Sequence, residues 1–123
     1  MKISKSLILV VLVSALPLIS IFITADLPHT HDGAVHLPRM AAYFKALRDS
    51  HISPRWAGDI NYGYGLPLFN FMYHTPYIIS SLFIALGVSL VMTFKLVMSI
   101  SYVLAGVFIY FFAKTFFKNE KTA

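Results

Sequence analysis

The chain predicts an all-α integral membrane fold: two transmembrane helices flanking an external loop that carries juxtamembrane amphipathic helices. Three observations lead there. Of the 123 residues, 58% are hydrophobic and 12% charged, against roughly 45–50% and about 25% in a soluble domain. Two long apolar runs, 7–24 and 89–113, contain between them one charge, Lys95. The polar residues concentrate between them: all five His, all three Arg, four of the five acids and four of the six Gly lie within 25–75.

The first run, 7–24, follows Lys2 and Lys5 and at about 1.5 Å per residue covers roughly 27 Å of hydrocarbon. It exceeds the apolar core of a cleaved signal, and Ile23-Thr24-Ala25 lacks the small residue such a cleavage site needs. An uncleaved anchor is expected, kinked at Pro17, which removes one backbone donor. The external loop occupies 25–76. Within it, 32–50 reads as an amphipathic helix with Leu37, Met40, Phe44 and Leu47 as its apolar stripe. Asp32 is placed to cap it, and Pro38 implies a start near Leu37 or a break. The stretch from Ser53 to Pro67 is too rich in turn residues for a regular element. Residues 77–87 are too short to span and suit an interfacial helix; 89–113 is the second membrane helix, with Lys95 near enough to its start to snorkel outward. Three spans are the alternative. With two, Lys2, Lys5, Lys114, Lys118 and Lys121 share the cytoplasmic side, as the positive-inside rule asks. Both termini are then cytoplasmic and the chain is one membrane domain, 1–123.

A net charge of +5 without a basic stripe gives no support for nucleic-acid binding. The absence of cysteine excludes disulfides, thiolate metal sites and a cysteine nucleophile. No phosphate-binding glycine loop or nucleophile elbow occurs. What chemistry the chain carries centres on Asp32, His36 and Arg39, spaced i, i+4, i+7 and so on one helix face. A carboxylate beside an imidazole and a guanidinium can deprotonate an acceptor, hold a divalent metal or grip a phosphate. The bland alternative is a helix cap paired with Arg39. His29, His31 and His36 could offer three imidazoles to zinc, but their spacing matches no zinc motif; His51 and His74 read as structural. Trp56, Tyr62, Tyr64, Phe69, Phe71, Tyr73 and Tyr77 form either an aromatic belt or a groove wall in which Arg55 meets an anionic headgroup. Gly63 and Gly65 are expected to let the backbone turn tightly.

The string Thr30-His31-Asp32-Gly33-x-x-His36-x-x-Arg39, then Pro54-Arg55-Trp56, Gly63-Tyr64-Gly65-x-Pro67-x-Phe69-x-Phe71 and Leu86-Gly87, resembles the start of the bacterial membrane domain named after 6-pyruvoyl-tetrahydropterin synthase. That domain in turn resembles the amino-terminal part of GT-C glycosyltransferases. The resemblance implies an enzyme that transfers a sugar from a polyprenyl-phosphate carrier on the external face, with Asp32 in the place of the functional acid as base or metal contact. Such enzymes have many more spans, so the chain is expected to be an amino-terminal fragment, inactive alone and completed by the remainder of the enzyme. The competing expectation is a small non-catalytic protein that binds anionic or polyprenyl lipid, or serves as an assembly partner.

Overall fold

The computed structural model describes residues 4–117. The described residues are all-helical apart from turns and one isolated bridge. They divide into two compact units: the residues up to Ala25 together with those from Met98 onward, and Asp26–Val97. Of the lysines that set the expected topology, Lys2, Lys118 and Lys121 lie outside the described residues.

In the first unit, α1 (Lys5–Ala15) runs through a 3-10 turn, Leu16–Leu18, into α2 (Ile19–Ile23). Together they are 19 residues long and apolar enough to cross a membrane. The 3-10 turn is the local answer to Pro17. Because proline offers no N–H, the Leu16 amide bonds the carbonyls of both Leu12 and Val13, so the Val13 carbonyl keeps a donor. The other membrane-length helix, α5 (Leu90–Phe117), has 28 residues. Its Gly106 backs onto Ser14 and Val10, where any Cβ would collide with the serine hydroxyl, so glycine here sets how closely the two helices approach.

The second unit contains α3 (Gly33–Arg48), α4 (Thr75–Ala85) and the first turns of α5. The α3 helix starts at Gly33 and continues through Pro38 without a break, which corrects the expected start near Leu37. Asp32 occupies the cap position, but only its carbonyl serves there, accepting from the Val35 and His36 amides at 3.0 and 3.1 Å. The side chain makes no capping bond. The buried face is also shifted. Met40 is buried, but its companions are Tyr43, Ala42 and Ala46, whereas Leu37, Phe44 and Leu47 stay partly exposed. Tyr43 outweighs the aliphatic stripe because it meets α4.

Both helices end in the same way. His51 N–H returns to Ala46 and Ser50 N–H to Leu47, with Ser50 at φ 69°; Val88 N–H returns to Phe83 and Gly87 N–H to Ile84, with Gly87 at φ 86°. These paired returns with a left-handed residue satisfy the last carbonyls. Between the helices the chain makes a tight loop. Ala57 and Leu66 exchange both amide bonds, at 2.9 and 3.2 Å, and Asn61, Tyr62, Gly63 and Gly65 all take positive φ. Lys95 is 2% exposed, so protein encloses it and the expected snorkelling does not occur.

Candidate functional site

The packing of α3 on α4 gathers an aromatic cluster in the second unit. Tyr43 and Tyr77 stack with centroids 5.7 Å apart, and Phe69 meets both edge-on at 4.9 and 5.8 Å. All three are 1% exposed. A phenol this deep needs a polar partner, and each finds a histidine. Tyr43 Oη lies 2.9 Å from His74 Nδ1, and Tyr77 Oη lies 3.2 Å from His36 Nδ1. The Arg39 guanidinium also acts on the Tyr77 oxygen, favouring its charged form. Burial raises the Tyr77 pKa, Tyr73 adds to the rise, and Arg39 opposes it; burial alone raises that of Tyr43.

Two residues of the sequence triad, His36 and Arg39, therefore converge, but on Tyr77 rather than on Asp32. The carboxylate of Asp32 instead lies 2.8 Å from His31 Nδ1, and both groups face solvent. Asp32 precedes the first helical turn, so the i, i+4, i+7 projection does not carry it onto the face of the other two. Nor do the histidines at 29, 31 and 36 assemble, since no group of three or more His, Asp or Glu side chains converges among the described residues.

Arg55 lines a separate cleft of about 280 Å3 between the end of α3 and the following loop. Ala42 and Ala46 contribute apolar surface, and Lys45, Asp49, His51 and Asp59 surround it. Lys45 Nζ is 3.3 Å from Asp59 and 3.7 Å from Asp49. The bond and charge of Asp59, helped by Asp49, raise the Lys45 pKa. Trp56 forms a wall of the cleft and is 53% exposed. Its indole rests on Gly65, where a Cβ would strike Nε1 and Cε2.

The aromatic run read from the sequence thus divides in two. Phe69 and Tyr77 are internal, while Trp56, Tyr62, Tyr64, Phe71 and Tyr73 are exposed. Sequence reasoning missed the roles of Tyr43 and Tyr77 and set aside His74. Tyr43 sits four residues after Arg39 and seven after His36, a helical spacing that marked it as a neighbour; Tyr77 had no such local signal. Lys45, Asp49 and Asp59 were missed as a unit because Asp59 arrives from the loop. No family model, characterised protein or solved structure matches the chain.

Proposed function

We propose that the chain contributes the first juxtamembrane segment of a membrane glycosyltransferase of the GT-C kind, acting on a polyprenyl-phosphate sugar on the external face. The carrying observation is Asp32, an open carboxylate on the N-terminal side of α3, nine residues after the first membrane-length helix ends and oriented by His31 at 2.8 Å. In this reading Asp32 takes the proton of an acceptor hydroxyl as its oxygen bonds the anomeric carbon. The bond from that carbon to the lipid phosphate breaks, and its electron pair leaves with the phosphate. Arg39, His36 and Tyr77 hold α3 against α4 and so fix the position from which Asp32 acts.

The test compares transfer from a radiolabelled polyprenyl-phosphate sugar in membranes of cells carrying the native chain or Asp32→Asn. The substitution removes the charge at nearly constant shape, so transfer is lost while the inserted amount is unchanged. Equal transfer in the two membranes overturns the reading. A second reading, a lipid-binding module without catalysis, draws on the exposed Trp56, Tyr62, Tyr64, Phe71 and Tyr73, side chains suited to a headgroup layer. It predicts that Asp32→Asn changes nothing.

A further inference from the structure

We infer that the cleft beside Trp56 is a binding site for one uncharged saccharide ring. Its volume, about 280 Å3, lies just below the roughly 300–1,000 Å3 usual for small-molecule sites. A single ring fits that space; a nucleotide does not. The indole of Trp56 supplies a flat apolar face, half open to solvent, of the kind against which the C–H face of a pyranose stacks. Gly65 is what lets this ring lie against the loop, since any side chain there would displace it.

The polar groups favour hydroxyls over an ion. Lys45 is held between Asp59 at 3.3 Å and Asp49 at 3.7 Å, so its charge is already balanced and offers an anion little. The two carboxylates keep unused acceptor sites, which suits neighbouring hydroxyl donors. Arg55 and His51 add donors to the same lining, and neither forms an ion pair among the described residues. Donors and acceptors gathered around one aromatic face match a polyol. A phosphate would have to compete with two aspartates. The inference does not depend on the role of Asp32, which does not line the cleft.

Trp56 is the only tryptophan in the chain, so its fluorescence reports on the cleft directly. The full chain in lipid nanodiscs, free of sugar-headed detergent, is titrated with a panel of neutral mono- and disaccharides and, at matched ionic strength, with inorganic phosphate. At least one neutral saccharide is expected to shift the emission saturably, and phosphate is expected to leave it unchanged. Asp59→Asn weakens that saccharide about tenfold, the scale of one charge-assisted bond. Gly58→Leu is a second variant. Gly58 lines the cleft, has no positive φ, and a Cβ there meets only Trp56 Cδ1 at 4.0 Å, so the backbone accommodates a side chain, and leucine is expected to occlude the cleft and abolish the shift. Asp32→Asn binds as the native chain does, which separates this inference from the proposed transfer reaction. No response to any saccharide in the panel overturns the inference, as does a saturable response to phosphate or a saccharide response that survives Gly58→Leu.

Discussion

Gly63 and Gly65 lie two residues apart in one turn, both at positive φ, +84° and +70°, yet alanine is expected to cost very different amounts at the two. At Gly63 a Cβ meets nothing within 4 Å. The whole penalty of Gly63→Ala is then the left-handed backbone, about 1–2 kcal/mol. The alanine also narrows the unfolded ensemble, which offsets about 0.4–1 kcal/mol of that, so the net loss is at most about 1.6 kcal/mol. At Gly65 the same backbone term applies, but the Cβ also strikes the Trp56 indole and approaches the Ala57 carbonyl at 3.1 Å. The carbonyl belongs to the Ala57–Leu66 bridge and cannot retreat without lengthening its 3.2 Å bond, so the indole must leave its seat. Overpacking of this kind adds about 1–3 kcal/mol. Gly65→Ala should therefore be the worse of the two by at least about 1 kcal/mol. Equilibrium unfolding in micelles, followed both by far-ultraviolet circular dichroism and by Trp56 emission, measures the difference. Native-state emission should be shifted in Gly65→Ala and unchanged in Gly63→Ala. Equal losses for the two variants, with identical emission, would refute the argument that Gly65 exists to seat the indole.

Further expectations concern the aromatic cluster, the helix crossing and the topology. Tyr77→Phe keeps the stack but leaves His36 and Arg39 without their shared partner, at a cost of about 1–3 kcal/mol; Tyr77→Ala removes a buried ring and costs about 3–5 kcal/mol, both read from the unfolding midpoint. Because burial raises the Tyr43 and Tyr77 pKa values above the ordinary 10.0, the unfolded phenols ionise first. Their contribution is intact below pH 10 and is lost as pH rises from there through the folded-state values. A stability profile across the alkaline range checks this, and in Tyr43→Phe, whose remaining ring cannot ionise, the alkaline loss becomes smaller. Gly106→Val, aimed at the Ser14 hydroxyl, should destabilise the first unit by about 1–3 kcal/mol in a detergent titration. In the two-span reading, a reporter that works only after export is active when inserted at Ser50 and silent when fused after Lys118; activity at both positions would refute it.

Local patterning carried much of this architecture into the sequence. The two apolar runs, the short helix between them, the left-handed Gly87 just after α4 and the tight turn at Gly63 and Gly65 are all legible, because hydropathy over a span and positive φ at glycine are properties of neighbouring residues. The proline readings went two ways. Pro17 does interrupt its helix with a 3-10 turn, whereas α3 runs through Pro38 unbroken. Periodicity placed the apolar face of α3 on Leu37, Phe44 and Leu47, but a ring from α4, more than thirty residues away in sequence, recentres that face on Tyr43. Asp32, His36 and Arg39 could be named from spacing alone, yet their partners could not. His36 and Arg39 share Tyr77, and Asp32 stays with His31. Lys95 looked able to reach water from its place near a helix start, and only the packing of the second unit shows it enclosed. The same is true of the cleft, whose carboxylates come from α3 and from a loop ten residues further on. A sequence specifies which side chains can bury and where the backbone can turn. Which buried polar group meets which depends on contacts between segments that are distant along the chain, and these arise only when α3, α4 and the intervening loop pack together.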